Sequence, residues 1–278
     1  MVHFQSKTGG RTENQDAFGF ITTSYGELIV VCDGMGGHKG GSRASNMAVN
    51  VVLEEIQKVD KKQDALSAIK TAIEIANMMI CEESRSNPQY HNMGTTLVAL
   101  LITPDKAICC HVGDSRVYQL RDGKIVYRTF DHSHVFELVK AGLMTEEEAR
   151  ISSQSNIITR ALGLSPEVEI DIEGNLSYHF GDRFLLCTDG IWGELPEAEL
   201  VDFVSQELEV KQIAEELAEK IDSIGFDNGG RHDNLTVALL EIDKNHRPKN
   251  KNKKCNKGIP IVEKLKKFFS KHNKTAVS

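Results

Sequence analysis

The sequence predicts an α+β fold built on layered antiparallel sheets, and three observations support this prediction. Short runs of apolar and β-branched residues end at turn signals, as strands do. Several of these runs are apolar throughout, which indicates strands that are covered on both faces. Long helical stretches interrupt the strands without a regular alternation of strand and helix, and this order favours antiparallel sheets over a parallel one.

The predicted strands are short, and two of them flank Asp122-Gly123, which is a strong hairpin signal. In chain order they are Leu28–Cys32, Thr95–Thr103, Lys106–Val112, Arg116–Leu120, Lys124–Arg128, Val168–Ile172, Arg183–Thr188 and Leu235–Ile242.

Four longer helices are predicted among the strands. In the first of them Ala44, Met47, Ala48, Val51 and Val52 recur at helical spacing. The four helices are Ser42–Gln57, Ala65–Glu83, Glu197–Gln206 and Val210–Ser223. Between Asp131 and Pro166 the pattern changes to two short helices around Gly142, and we interpret residues 131–166 as a small inserted flap.

Composition places the chain among ordinary globular proteins. Of 278 residues 40% are hydrophobic and 26% are charged, which excludes a mostly disordered chain and a membrane bundle. The six cysteines form no CxxC pair, and three of them lie inside apolar runs, as buried free thiols do. The N-terminal residues Met1–Gly10 are polar and contain no apolar signal segment. We therefore expect a cytoplasmic protein.

The net charge of −7 hides two parts of opposite sign. Residues 1–243 hold 21 basic and 39 acidic residues, whereas residues 244–278 hold 12 basic residues and one acid. We expect one catalytic domain over residues 1–243 and a basic tail over residues 244–278. Within the tail Lys244–Lys257 has the composition of a flexible charged linker.

Apolar residues in the rest of the tail recur at helical spacing between lysines, which predicts a short basic amphipathic helix; they are Ile261, Val262, Leu265, Phe268 and Phe269. Such a helix can lie on an anionic membrane surface or contact a partner, and a frayed solubilising tail is the alternative. Nucleic acid is the least favoured partner, because the acidic body would repel phosphates.

Aspartates next to predicted strands are the strongest chemical signal. Asp33, Asp114 and Asp189 each follow a strand, Asp233 directly precedes the last one, and Asp16 lies near the N-terminus. Singly, each is explained as a turn residue. Together they would repel one another unless a cation neutralised them, and carboxylate oxygens are the ligands that Mg²⁺ and Mn²⁺ prefer. The sequence has no His-rich or Cys-rich spacing typical of zinc sites.

A single arginine close to this set is suited to phosphate. Arg11 opens the segment Arg11-Thr12-Glu13-Asn14-Gln15-Asp16. A guanidinium group near a metal cluster can hold two phosphate oxygens at once. An ordinary surface arginine is the alternative.

These segments, in their order along the chain, resemble the metal-dependent protein phosphatases of the PP2C type (PPM family), in their bacterial branch. The resemblance runs from Thr8 to Ile242. Its motifs are Arg11–Asp16, Val31–Gly37, Met93–Thr96, Gly113–Arg116, Asp131–Ser133, Asn156–Gly163, Cys187–Gly190 and Asp233-Asn234.

The resemblance implies a four-layer α-β-β-α sandwich, in which two antiparallel sheets are flanked by helix pairs and metal ions lie at one end. It implies two Mn²⁺ or Mg²⁺ ions with a possible third. Asp33 would bridge two ions, the Gly34 carbonyl would contact one, and Asp189 and Asp233 would bind the other. Asp114, together with Asp189, matches the ligands of a third and weaker site.

The remaining implications concern the reaction. Asp16 would act mainly through water, and Arg11 would hold the substrate phosphate. A water that bridges the metals would hydrolyse phosphoserine and phosphothreonine on proteins, without a phosphoenzyme. The expected partners are phosphoproteins that are targets of a Ser/Thr kinase, and the expected state is a monomer.

Three positions depart from the family pattern. Met35 stands where some members have a histidine proposed as a general acid, and Gln15 stands where many have Glu. The nearest histidine, His38, is taken as structural or solvated. His132 and His134 fall where the flap begins and are taken as loop residues.

Two other functions stay open at this point. One is a catalytically weak or silent member of the family that binds phosphoproteins as a regulator. The other is a metal-dependent hydrolase or nuclease that acts on other phosphates, which the acidic body disfavours.

Overall fold

Two antiparallel sheets packed face to face form the centre of the protein. The computed structural model describes residues 2–36, 39–59 and 63–243. Within them the strands are β1 (Val2–Lys7), β2 (Asp16–Thr22), β3 (Glu27–Met35), β4 (Gly94–Thr95), β5 (Leu97–Ile102), β6 (Ala107–Val112), β7 (Arg116–Arg121), β8 (Lys124–Arg128), β9 (Asp171–Leu176), β10 (Arg183–Cys187) and β11 (Leu235–Glu241). The first sheet has the order β1-β11-β10-β7-β8 and the second β2-β3-β5-β6-β9, with β4 pairing to the end of β3.

Helices cover the outer faces of both sheets. On the second sheet they are α1 (Gly40–Lys58) and α2 (Ala65–Ser86), and on the first sheet α6 (Glu197–Val204) and α7 (Val210–Asp227). The shorter helices α3 (His134–Lys140) and α4 (Glu146–Arg150) lie between β8 and β9, and α5 (Asp189–Trp192) follows β10. The helix α2 begins where the Asp64 side chain accepts a hydrogen bond from the Ser67 amide, and α4 begins with a capping box of Thr145 and Glu148.

Three apolar layers hold the four structural layers together. Ala48 and Ile73 belong to the layer between the second sheet and α1 and α2, and Leu217 belongs to the layer between the first sheet and α6 and α7. The two sheets meet through a third layer that includes Ile29 and Phe184. Full burial of the larger of these side chains contributes about 1.5–3 kcal/mol each. The α-β-β-α sandwich that the resemblance implies is confirmed.

The strand β3 illustrates why several runs are apolar throughout. Leu28 and Val30 pack in the layer under α1 and α2, whereas Ile29 and Val31 face the other sheet. Successive side chains of a strand point to opposite faces, so a strand buried on both faces has no polar positions.

Several element predictions need correction. The strands β1 and β2 are absent from the prediction, and Val168–Ile172 is displaced, since β9 begins only at Asp171. The run Thr95–Thr103 is interrupted at Thr96. Asp33 lies inside β3 rather than after it, and Asp189 begins the short helix α5.

The flap region carries α3 and α4 and has a small core of its own, formed by Val135, Phe136 and Ala149. An isolated antiparallel bridge between Ser133 and Ile158 closes the base of this region.

The cysteines within the described ranges are Cys32, Cys81, Cys109, Cys110 and Cys187, and all are buried free thiols. Among the helices of these ranges none combines the length and apolarity needed to cross a bilayer. The predicted helix of the tail and the prediction for His38 fall outside the described residues.

Candidate metal centre

A cavity of about 490 Å³ opens at one end of the sandwich, where strand ends and loops converge. Six of the seven predicted site residues line it, namely Arg11, Asp33, Gly34, Asp114, Asp189 and Asp233. The seventh, Asp16, is buried (8% exposed) and is paired across the strands β2 and β3 with Asp33. The structure thus brings together all the carboxylates that the sequence analysis selected.

Asp33 is held by the backbone and side chains of a neighbouring Gly-Thr-Thr segment. The Asp33 amide donates to Thr96 Oγ1 at 2.9 Å, and the Asp33 carbonyl accepts from the Thr96 amide and from Thr95 Oγ1, both at 2.8 Å. Thr96 Oγ1 also shares a hydrogen bond of 2.7 Å with Ser115 Oγ, next to Asp114. The interruption between β4 and β5 therefore fixes the position of Asp33.

Gly34 is required by close backbone packing. A Cβ atom at this position would lie 2.2 Å from the Gly41 carbonyl oxygen and 2.6 Å from that of Gln15. Any other side chain would force apart β3, α1 and the loop before β2. The Gly34 amide donates to the Gln15 carbonyl at 3.1 Å, which joins the same segments.

Asp16 lies beneath the cavity with one carboxylate oxygen unpaired. Its Oδ2 accepts from Thr188 Oγ1 at 3.0 Å, but its Oδ1 is buried without a hydrogen-bond partner. Burial raises the pKa of Asp16 to about 7, to which repulsion from Asp189 and Asp233 contributes.

Asp189 is in a similar position at the start of α5. Its Oδ1 is also buried without a partner, and burial together with repulsion from Asp233 raises its pKa to about 6.

Asp114 lies in the turn between β6 and β7, and its backbone carbonyl accepts from Trp192 Nε1 at 3.0 Å. Burial, with repulsion from Asp189 and Asp131, raises the pKa of Asp114 well above its ordinary value.

The pKa of Asp33 is affected by more of the neighbouring carboxylates than that of any other aspartate described above. Desolvation raises its pKa well above the ordinary value, and the nearby charges of Asp16, Asp189, Asp114 and Asp233 raise it further. These carboxylates cannot all stay ionised at neutral pH without positive charge between them. Unpaired buried oxygens and a donor set of oxygen atoms fit hard divalent cations such as Mg²⁺ and Mn²⁺.

Arg11 and Asn234 organise the other side of the cavity. Arg11 Nη2 donates to Asp233 Oδ2 at 2.6 Å, and both side chains are partly exposed. Asn234 joins the first loop to the last strand, since its Oδ1 accepts from the Gln15 amide and its Nδ2 donates to the carbonyls of Thr8 and Glu13. Asn234 had no predicted role of its own. The sequence signal that could have indicated a role was its position between Asp233 and the last strand.

A buried ion pair connects the carboxylate-lined cavity to the flap. Arg116 donates from Nε and Nη2 to both carboxylate oxygens of Asp131 at 2.8 Å, and its Nη1 donates to the Tyr118 hydroxyl. Its guanidinium group lies 3.6 Å from the ring centre of Trp192, the residue that donates to Asp114. Arg116 was part of a motif in the sequence, but its structural role was not predicted.

His132 is buried rather than being an ordinary loop residue, and His134 begins α3; both correct the prediction. His132 Nδ1 accepts from the Gly113 amide at 3.1 Å, and Nε2 lies 3.3 Å from an Asp171 oxygen. With Nδ1 accepting, Nε2 carries the proton. Burial lowers the pKa of His132 to about 4, and the stacked ring of His111 contributes.

The ligand atoms of His111, His132 and Asp171 lie within 4.8 Å of one another, which is compatible with a second cation. However, His111 Nε2 is hydrogen-bonded to the Phe130 carbonyl, and Arg160 Nη1 lies 2.8 Å from Asp171 Oδ1. A guanidinium group at this distance disfavours a cation, so this group acts as a hydrogen-bonded network that fixes the Gly113 turn.

Solved Ser/Thr phosphatases share the fold of this chain. The sequence profile of the family described as "Protein phosphatase 2C" matches residues 5–222. The chain belongs to this family, in its bacterial Ser/Thr phosphatase branch.

Particular relatives agree with this assignment. Protein phosphatase PhpP of Streptococcus pneumoniae is 35% identical over 238 residues, which cover 84% of this chain and 93% of the relative. The crystal structure of the Ser/Thr phosphatase Stp1 from Staphylococcus aureus has a TM-score of 0.76 at 31% identity, covering 87% of this chain and 94% of that one. The catalytic domain of PstP, solved with two manganese ions, has a TM-score of 0.72 at 30% identity and covers 88% and 98%.

Proposed function

We propose that this protein is a Mn²⁺- or Mg²⁺-dependent phosphatase that removes phosphate from phosphoserine and phosphothreonine in proteins. The observation that carries the proposal is the convergence of five aspartates from distant segments around one cavity, with an arginine at its rim. The Ser/Thr phosphatase activity named for the relatives supports this substrate class.

The aspartates would hold the cations. Asp33, Asp189 and Asp233, with the Gly34 carbonyl, are the proposed ligands of two ions, and Asp114 with Asp189 would contact a third. When bound, the cations would neutralise phosphoryl charge and activate a water for direct attack on phosphorus. Asp16 would orient bound water from below through its unpaired Oδ1.

Arg11 would bind the phosphate. Its guanidinium group pairs with Asp233 at 2.6 Å and lines the cavity. There its planar N–H groups can donate to two phosphoryl oxygens whose charge grows during the reaction. Phosphate release would follow the weakening of these bonds.

Hydrolysis without a phosphoenzyme is consistent with the cavity's side chains. No cysteine lines the cavity in the part of the chain that the structure describes. Burial raises the pKa of Cys32, the cysteine adjacent to Asp33, well above its ordinary value, which leaves it protonated and unreactive. The Thr96 hydroxyl, which does line the cavity, is engaged by the Asp33 amide and by Ser115.

A catalytically silent regulator is the second candidate. The loss of a carboxylate from the proposed site would favour it, but all of these carboxylates are present. A cytoplasmic location, a monomeric state and an opposing Ser/Thr kinase remain predictions. So does the contact of the tail with a membrane surface or partner.

The decisive test is the hydrolysis of a phosphothreonine peptide by the purified full chain with MnCl₂. EDTA should abolish turnover, and re-addition of Mn²⁺ should restore it. Asp33→Asn should remove activity, and Arg11→Ala should lower kcat/KM about 10- to 100-fold, because a charge-assisted pair to phosphate is lost.

Asp122→Asn is the matched control, since Asp122 is an exposed hairpin residue with φ of 50°, a conformation that Asn tolerates. Its activity should equal that of the original protein. Turnover that resists EDTA, or full turnover by Asp33→Asn, would contradict the proposed function.

A further inference from the structure

A second, smaller cavity of about 270 Å³ adjoins the metal centre. The two cavities share Arg11, Asn156, Asp189 and Asp233 in their walls. The additional walls come from the flap, from the loop after α5, and from the loop between α7 and β11. A substrate chain whose phosphorylated residue enters the metal centre would therefore pass this cavity with a neighbouring side chain.

Two arginines of the additional walls differ in their bonding. Arg150, on the flap, donates from Nε and Nη2 to the Glu147 carboxylate and from Nη1 to the Gly193 carbonyl at 2.7 Å. Its charge is neutralised, and it connects the flap to the loop after α5. Arg231, by contrast, is exposed and makes no hydrogen bond or ion pair with any residue in the described ranges.

The backbone that carries Arg231 is held in place on both sides. Gly229 and Gly230 have φ of 108° and 66°, and the Gly230 amide donates to the Gly225 carbonyl at 3.0 Å, which ends α7. After Arg231, the His232 carbonyl accepts from the Gly10 amide at 3.0 Å. Arg231 therefore has a free side chain on a fixed backbone.

The loops that carry Arg11 and Arg231 are in direct contact. A Cβ atom on Gly10 would lie 2.3 Å from the Gly230 carbonyl oxygen, so the two backbones leave no space between them. The two guanidinium groups thus belong to adjoining backbone segments at the rim of one continuous depression.

The charge of the smaller cavity depends on the cations. Asp189 and Asp233 would be neutralised by the metal ions. Glu194 also lines the cavity, and its charge helps to raise the pKa of Arg150, whose guanidinium group is already paired with Glu147. With Arg11 occupied by the substrate phosphate, Arg231 is left as the arginine of this cavity whose guanidinium group makes no hydrogen bond or ion pair within the described residues.

We propose that Arg231 is a specificity-determining residue that binds an anionic side chain of the substrate, a few residues from the phosphorylated one. The inference rests on the proposed function and adds a substrate preference to it. Phosphopeptides with acidic neighbours would be favoured over neutral ones, because a guanidinium group pairs with oxyanions in a two-bond geometry. A carboxylate and a second phosphate present the same chemistry.

The test uses the full chain with Mn²⁺ and phosphothreonine peptides that differ at one flanking position. A single Ala, Glu or phosphoserine is placed in turn at each of the three positions on either side. The readout is the ratio of kcat/KM between the anionic and the Ala peptide, which cancels differences in folded fraction. At the preferred position this ratio should be about 3 to 10 for Glu and larger for phosphoserine, as expected for partly exposed arginine pairs.

Arg231→Ala should reduce the ratio to about 1, and Arg231→Glu should reverse it in favour of a Lys-flanked peptide. Arg85→Ala, which removes another exposed arginine on α2, is the control and should keep the original ratio. A preference for phosphoserine alone would assign the site to doubly phosphorylated segments, and a preference for both would assign it to acidic segments generally.

The outcomes separate the two proposals. A ratio of about 1 at every position in the original protein, or an unchanged ratio in Arg231→Ala, overturns the role of Arg231 and leaves the phosphatase assignment intact. Absence of turnover on every peptide in the presence of Mn²⁺ overturns the proposed function, and this inference with it.

Discussion

Replacing Asp189 by Asn should have opposite effects on stability with and without metal. In the metal-free protein the pKa of Asp189 is raised from 3.8 to about 6, which corresponds to about 3 kcal/mol of unfolding free energy. Because the folded state has the higher pKa, this stability is lost as the pH rises from about 4 to about 6, and the loss is complete at neutral pH. The Asn side chain carries no charge, so the metal-free variant should be more stable than the original protein. Imperfect hydrogen bonding of the new amide limits the increase in unfolding free energy to about 1–3 kcal/mol.

The assay is thermal unfolding at pH 7.5, with EDTA and with saturating MnCl₂. In EDTA, Asp189→Asn should melt about 2–12 °C above the original protein, given about 2–4 °C per kcal/mol for a domain of this size. With Mn²⁺ the order should reverse, since bound cations stabilise only the folded state and the variant lacks one of the proposed ligands. Phosphatase activity of the variant should be lost.

Asp122→Asn controls for the substitution itself and should change neither melting temperature. A metal-free Asp189→Asn that melts below the metal-free original protein would refute the argument from charge repulsion. Equal stabilisation of both proteins by Mn²⁺ would refute the assignment of Asp189 as a ligand.

Two further predictions concern the supports of the site. Thr96→Val leaves the Asp33 amide and the Ser115 hydroxyl without their partner, so urea unfolding should show a loss of about 1–3 kcal/mol, which Thr96→Ser should largely avoid. The pKa of His132 is about 4 in the folded protein against 6.5 ordinarily, so protonation of the unfolded chain should lower stability as the pH falls from 6.5 to 4, by up to about 3 kcal/mol. The unfolding free energy of the original protein, minus that of His132→Asn, should therefore fall as the pH falls across that range. A difference that does not depend on pH would contradict the prediction.

Much of the fold was predictable because most strands of the sandwich are buried on both faces. The runs that became β3, β5, β6, β10 and β11 are apolar, and local sequence is enough to recognise them. The strands β1 and β2 were missed because these two edge strands contain no long run of consecutive apolar residues, which is the signal that marks β3 and β5. The helix α5 has four residues, which is too short for a helical period to appear.

The supporting residues of the site were less predictable than its carboxylates. Asp-Gly pairs at strand ends are visible in the sequence, and the family motifs select the relevant ones. The bridges made by Asn234 span more than 200 positions of the chain, and the pair of Arg116 with Asp131 depends on a strand and a loop that meet only in the folded protein. No local pattern encodes such contacts.

The sequence by itself determined the layered α+β architecture, the family and the set of candidate carboxylates, because hydrophobic periodicity and motif spacing are local properties. The tertiary structure alone decided which of those groups share one desolvated cavity. Pairing of β2 with β3 places Asp16 opposite Asp33, and the start of α5 brings Asp189 against them. Repulsion between carboxylates depends on distance and dielectric surroundings, and both are set by how distant segments pack.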